Sequence, residues 1–144
     1  MSPARFSGLS NSILDAIGDT PLLEIEGIYC KLEFLNPSGS IKDRVARYII
    51  ERAEREGLLL PGDTIVEATT GNMGNALSML AAVKGYRMLV VTPEGFSGER
   101  LAISRAFGAE ILTIGYFQAD KALEKARELG RRSAYFFPAQ FESE

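Results

Sequence analysis

The sequence contains no histidine, only one cysteine and no long apolar stretch, and each of these absences removes a class of function. Without histidine there is no Ser-His-Asp or Cys-His triad, no histidine general base and no histidine-ligated zinc site. Any chemistry must therefore use lysine, carboxylates, hydroxyl groups or a cofactor. Because Cys30 alone cannot form an intrachain disulfide, a reducing compartment is favoured, and we expect the cytoplasm.

Charge and hydropathy limit the partners of the chain. No apolar run approaches the ~20 residues that cross a bilayer, so we expect no membrane partner. The 16 basic and 19 acidic residues are interspersed and give a net charge of −3, which does not favour nucleic acid. A hydrophobic content of 46% over 144 residues predicts a globular chain of one domain or slightly more.

From Ser40 onward, apolar runs typical of strands alternate with segments of helical period. The predicted strands are Thr64 to Glu67, Arg87 to Thr92, Glu110 to Ile114 and Ala134 to Phe137. The predicted helices cover about 40–57, 73–84, 98–107 and 119–129, and the first is expected to be capped by Ser40 with Asp43 and to end at Gly57. This order predicts a three-layer αβα fold with a four-stranded parallel sheet and helices on both faces.

The stretch before Ser40 has a different pattern, so we divide the chain into a leading segment, 1–39, and an α/β domain, 40–144. Apolar residues alternate with polar ones from Ile28 to Phe34, which predicts a half-buried strand. Cys30 falls on the inner face of that strand. There it is better explained as a small buried hydrophobe than as a reactive thiol.

Two loops that precede helix N-termini can carry chemistry. In the first, Asn36 to Arg44, Lys42 stands in the first helical turn. The helix dipole there disfavours a cation and favours the neutral amine, which is the nucleophile that forms an imine with an aldehyde. A solvated surface lysine is the commoner explanation of a lone lysine.

The second loop, Glu67 to Asn75, combines hydroxyl side chains and glycines at a strand-to-helix turn. Such a turn exposes backbone N–H groups that can bind a carboxylate or a phosphate. The loop contains neither GxGxxG nor GxxxxGK[ST], so NAD and nucleoside triphosphates have no specific support. The alternative is a tight turn whose glycines only let the helix pack.

Taken together, the two loops resemble the cysteine synthase and cystathionine β-synthase family of pyridoxal-phosphate enzymes. The resemblance is carried by Asn36 to Arg44, followed about 25 residues later by Thr69 to Gly74. Further matches occur in the order of the family: Gly18-Asp19-Thr20-Pro21-Leu22, Lys31-Leu32-Glu33, Pro61-Gly62-Asp63, Phe107-Gly108-Ala109-Glu110 and Gln140-Phe141. It covers essentially the whole chain and implies the small domain of a fold-type II enzyme preceded by leading strands of a large domain.

This resemblance implies pyridoxal phosphate as cofactor and β-replacement on an activated serine, a small amino-acid substrate, to make cysteine. It makes Lys42 the catalytic residue, which forms the imine with the cofactor and removes the α-proton, and it makes Asn72 a ligand of the cofactor 3′-oxygen. The implied substrate-binding residues are Thr69, Thr70, Gly71, Met73 and Gln140. The family usually has Ser at Thr70 and Thr at Met73, so one carboxylate-binding hydroxyl is lost here.

Members of this family are roughly twice as long as this chain. The later loop that holds the cofactor phosphate and the residue that meets the pyridine nitrogen are not found in the sequence. We therefore expect a truncated form that is inactive or weakly active alone and that forms a homo-oligomer or pairs with a complementary chain. The alternatives are a non-catalytic binding or assembly module and a bare structural domain, neither of which would absorb visible light with pyridoxal phosphate.

Overall fold

A computed structural model describes residues 9–95 and 98–139. The strands are β1 Leu22–Ile25, β2 Ile28–Lys31, β3 Thr64–Ala68, β4 Arg87–Glu94, β5 Glu110–Tyr116 and β6 Tyr135–Phe136. The helices are α1 Lys42–Arg55, α2 Asn72–Lys84, α3 Gly98–Ala106 and α4 Ala119–Gly130. Short 3-10 turns at Ile13–Ala16 and Glu33–Leu35 complete the leading segment.

The predicted four-stranded parallel sheet is confirmed. Its strand order is β5-β4-β3-β6, and every neighbouring pair is parallel. The chain adds β4 and β5 on one side of β3 and then returns to place β6 on the other side. The order of the strands therefore reverses beside β3, and ligands of open α/β sheets bind at the carboxyl ends of the strands at such a reversal.

Helices cover both faces of this sheet, as the alternating pattern predicts. One core packs α1, α2 and α3 against side chains of β3 and β4 such as Ile65 and Val90. The second core packs α4 against the opposite face, where Val66 and Val91 lie. All five residues of β3 are buried, including the polar Thr64 and Glu67, because helices cover both faces of this central strand.

The leading segment forms an antiparallel hairpin of β1 and β2. The strand predicted to reach Phe34 ends at Lys31, because the chain turns there into the 3-10 turn at Glu33–Leu35. One face of the hairpin is wholly apolar and is called here the apolar hairpin face; it consists of Leu23, Ile25, Ile28 and Cys30. Its three aliphatic side chains are exposed, so the hairpin has no core of its own.

Within residues 9–95 and 98–139, no helix combines the length and the apolar character that a bilayer span requires. The same part of the chain contains no group of three His, Cys, Asp or Glu side chains placed to hold a metal ion.

Candidate functional site

The loop before α1 is closed by side-chain hydrogen bonds. Ser40 Oγ accepts from the backbone N–H of Lys42 at 3.1 Å, although the residue directly before the helix is Ile41, which makes no side-chain cap. The predicted Ser40–Asp43 pairing is wrong, because the buried Asp43 carboxylate accepts from Ser38 instead, from its backbone N–H at 2.7 Å and from its hydroxyl group. Gly39 has a φ of +90° in this turn, a conformation that disfavours any residue with a Cβ.

Lys42 lies in the first turn of α1, as the sequence predicts, but the helix begins at Lys42 and not at Ser40. Its side chain is half-buried, and its Nζ has no hydrogen-bond or ion-pair partner among the described residues. Lys84, at the C-terminus of α2, is by contrast ion-paired with Glu54. Lys42 is therefore held by its backbone and remains available to a ligand.

The first residue of the loop after β3 still forms a backbone hydrogen bond to the neighbouring strand β4. Thr69 N–H donates to the carbonyl oxygen of Val91 at 3.0 Å, and Thr69 Oγ1 accepts from Gly71 N–H at 3.3 Å. The first N–H groups of α2, at Asn72 and Met73, donate no hydrogen bond within the part of the chain that the structure describes. Free amides at a helix N-terminus favour an anionic ligand such as a carboxylate.

The side chains of this second loop divide into two groups. Asn72 is exposed, and Thr69 and Thr70 are half-buried, so these three can meet a ligand. Met73 is only 2% exposed and belongs to the core that α1, α2 and α3 form with the sheet, so it can contribute to the loop only through its backbone. A Cβ on Gly74 would lie 2.9 Å from Thr69 Cγ2, which explains the glycine there.

The two loops lie at the same end of the domain. Helices α1 and α2 pack side by side, and an ion pair joins their C-terminal turns, with Lys84 Nζ 2.8 Å from Glu54 Oε2. Lys42 precedes Glu54 by twelve residues, and Asn72 precedes Lys84 by twelve residues. At 1.5 Å per residue, both N-termini stand about 18 Å from this ion pair, towards the carboxyl ends of the strands.

Sequence reasoning missed one buried acidic residue beside this loop. Glu67, near the end of β3, is fully buried, and its Oε1 accepts from the N–H of Ala68 at 2.9 Å. A charged residue within a strand buried on both faces was the available signal. Gln140, which the sequence predicts to line the substrate site, lies outside the described residues.

A second carboxylate, that of Glu33, has a strongly shifted acidity. The Arg44 guanidinium, together with hydrogen bonds from Thr20 and Asn36, lowers the pKa of Glu33 to about 2 from 4.5. Its side chain is 16% exposed. The folded protein therefore stabilises the ionised form of the Glu33 carboxylate.

This shift predicts an acid-dependent loss of stability. Because the folded pKa is depressed, the contribution of Glu33 is present above its unfolded value and is lost as the pH falls from about 5 towards 2. We expect this contribution to the free energy of unfolding to be roughly 1–3 kcal/mol, less than the full pKa shift implies because Arg44 is partly exposed. Urea unfolding at pH 6 and pH 3 measures it, and Glu33→Gln should flatten the difference. An unchanged difference in that variant would contradict the assignment to Glu33.

The four-stranded parallel sheet between helical layers is the fold of the fold-type II pyridoxal-phosphate enzymes that the chain matches in structure. The family profile described as "Pyridoxal-phosphate dependent enzyme" matches residues 13–144. The chain belongs to this family, as its motifs predict.

Relatives of this chain include cysteine synthases and an O-ureido-L-serine synthase. The cysteine synthase of Staphylococcus aureus (strain N315) is 44% identical over 142 residues, which are 92% of this chain and 46% of that protein. The O-ureido-L-serine synthase of Streptomyces lavendulae is 41% identical over 94% of this chain and 44% of its own length. The crystal structure of a cysteine synthase from Entamoeba histolytica aligns with a TM-score of 0.90 and 36% identity, over 99% of this chain and 46% of that one. The chain thus spans about half the length of these relatives.

Proposed function

We propose that this chain forms the lysine-bearing half of a pyridoxal-phosphate enzyme that replaces the β-substituent of an activated serine to make cysteine. The observation that carries the proposal is the shared end of α1 and α2. There the free Lys42 amine and the Asn72 loop stand at the same height above the Glu54–Lys84 ion pair. Relatives named cysteine synthase and O-ureido-L-serine synthase support a serine derivative as substrate.

The residues present fit one side of the cofactor. When bound, pyridoxal phosphate supplies the electron sink that stabilises negative charge at the substrate Cα. Lys42, whose Nζ has no partner among the described residues, would hold the cofactor aldehyde and would move the substrate α-proton. The exposed Asn72 side chain would donate to the 3′-oxygen.

The loop before α2 is suited to the substrate carboxylate. Thr69 and Thr70 contribute hydroxyl groups, and Gly71 lets the chain turn into the helix whose first amides are free. Because the Met73 side chain is buried, only its N–H contributes, and binding depends on the backbone more than on a second hydroxyl. Gln140 completes this proposed set.

The isolated chain should hold the cofactor weakly. No phosphate-binding loop or partner of the ring nitrogen occurs in the sequence, and charge-assisted hydrogen bonds contribute about 1.5–3 kcal/mol each. The loss of several such hydrogen bonds lowers the affinity for the cofactor by orders of magnitude. We therefore propose activity only as part of a longer protein or with a complementary chain that supplies these groups, in a reducing compartment such as the cytoplasm.

Mapping the site of covalent attachment tests this proposal. The chain is incubated with pyridoxal phosphate, reduced with borohydride, digested and analysed by mass spectrometry. The chain contains five lysines, and we expect most of the pyridoxyl label on Lys42. An even distribution over the lysines would contradict a dedicated site.

A second candidate function is a non-catalytic assembly module that keeps the fold. The observation that favours it is the apolar hairpin face, whose Ile25 and Ile28 side chains are more than half exposed. A module of this kind would associate through the hairpin and would show no preference for Lys42 in the labelling experiment.

A further inference from the structure

The leading segment meets α1 at the guanidinium of Arg44. Its Nε lies 2.9 Å from Glu33 Oε2, and its Nη2 lies 3.0 Å from Glu33 Oε1. Two parallel N–H to oxygen bonds make this a bidentate ion pair, which fixes direction as well as distance. Nη2 also donates to Thr20 Oγ1 at 3.2 Å, so two separate parts of the leading segment converge on one side chain of α1.

Both members of this ion pair are held by further contacts. Thr20 Oγ1 donates to Glu33 Oε1 at 2.6 Å, and Asn36 Nδ2 donates to Glu33 Oε2 at 2.8 Å. A Cβ on Gly18 would stand 2.9 Å from Arg44 Nη1, so the backbone of Gly18 approaches the guanidinium closely. The Glu33 carboxylate is thus saturated with donors, and the guanidinium is held by its hydrogen bonds to Glu33 and Thr20.

The same contacts secure the loop that leads to Lys42. Asn36, which is buried, accepts from the N–H of Gly18 through Oδ1 at 2.9 Å. On the other side of Lys42, the Asp43 carboxylate accepts from the N–H of Ser38. The chain around Lys42 is therefore anchored on both sides, whereas Lys42 Nζ itself has no described partner.

Arg44 and Lys42 are two residues apart on α1. At 3.6 residues per turn, their side chains leave the helix about 200° apart. Fixing Arg44 against the leading segment therefore turns Lys42 away from that segment. The ion pair thus fixes the rotation of the first turn of α1, and with it the direction in which the Cα–Cβ bond of Lys42 leaves the helix.

We propose that Glu33 and Arg44 are positioning residues that set the direction of Lys42 through the first turn of α1. This inference rests on the proposed role of Lys42. It also assigns a purpose to the Gly18-Asp19-Thr20 and Lys31-Leu32-Glu33 motifs, which supply the ion pair and its supports but contribute no group to the proposed chemistry.

The test uses Glu33→Gln and Arg44→Lys in the full chain. The aldehyde of pyridoxal phosphate condenses with Nζ and releases water, and borohydride then delivers hydride to the carbon–nitrogen double bond. The measured quantity is the share of the label on Lys42 among the five lysines. We expect both variants to lower this share by on the order of tenfold, since small displacements have large effects on reactions that need orientation. Arg44→Lys keeps the positive charge but loses the bidentate geometry, so the charge alone should not restore the share of label on Lys42.

The matched control is Glu54→Gln. It breaks an ion pair of similar length, 2.8 Å, in the last turn of the same helix, and it should leave the Lys42 share unchanged. Hydrogen exchange gives a readout without the cofactor: Glu33→Gln should raise exchange at the N–H groups of Ser38 and Lys42, whereas Glu54→Gln should not.

The outcomes separate the two proposals. A low Lys42 share in the wild-type chain, together with faster exchange in Glu33→Gln, overturns the proposed role of Lys42 and retains the positioning of its loop. An unchanged Lys42 share and unchanged exchange in a folded Glu33→Gln chain overturn the positioning role. An equal effect of Glu54→Gln also overturns it, because the effect would then be one of general stability.

Discussion

Lys42→Ala should remove the dominant site of pyridoxal-phosphate attachment. The substitution deletes the amine that stands free at the N-terminus of α1 and leaves the buried side of the helix, Ala46 and Ile50, untouched. The expected result is complete loss of label at position 42 and only background labelling elsewhere. Mass spectrometry of the borohydride-reduced chain and absorbance in the visible range measure it.

Lys84→Ala provides the control. Lys84 lies in the last turn of α2 and is paired with Glu54, so its removal should lower stability slightly and leave the Lys42 label intact. The proposed role of Lys42 is wrong if both variants lose the same amount of label, or if Lys42→Ala retains the visible absorbance of the wild type.

Ile28→Lys should convert an associating chain into a monomer. Ile28 is 66% exposed and pairs with Ile25 across the apolar hairpin face. Burying such a side chain contributes about 1.5–3 kcal/mol, and a symmetric interface buries it twice. The substitution should therefore weaken association by at least about a hundredfold, which sedimentation velocity over a range of concentrations detects.

The neighbouring residue offers a matched control. Tyr29 is 67% exposed, but it points to the opposite face of the hairpin, where it pairs with Glu24. Tyr29→Lys adds the same charge and removes similar apolar area, yet it should leave the assembly in place. A monomeric wild-type chain would contradict self-association through this face, and equal effects of the two variants would place the contact elsewhere.

The sheet was predictable because its signals are local. The middle of β4, Met88 to Val91, is apolar on both faces, and the helix before it ends at Gly85, whose φ of +80° suits a helix stop. The leading strand was predicted too long because alternation cannot distinguish an extended chain from one that turns at Glu33.

The candidate site was predictable only in part. Lys42 and Asn72 follow from the two loops, and their common end follows from parallel topology. The burial of Met73 depends on how α2 packs against α1, and the donors around Glu33 come from residues up to thirteen positions away. Sequence spacing does not encode such contacts, because they form only when the leading segment docks on α1.

The equal separations of Lys42 and Asn72 from the Glu54–Lys84 ion pair limit where this fold can accept insertions and deletions. Lys42 and Asn72 stand at equal separations from it, so one residue added within α1 would turn Lys42 by about 100° and move it 1.5 Å relative to Asn72. An added residue in the exposed turn at Pro61 and Gly62 would leave both N-termini where they are. Length changes among natural variants should accordingly collect in that turn and be absent from the first three turns of either helix.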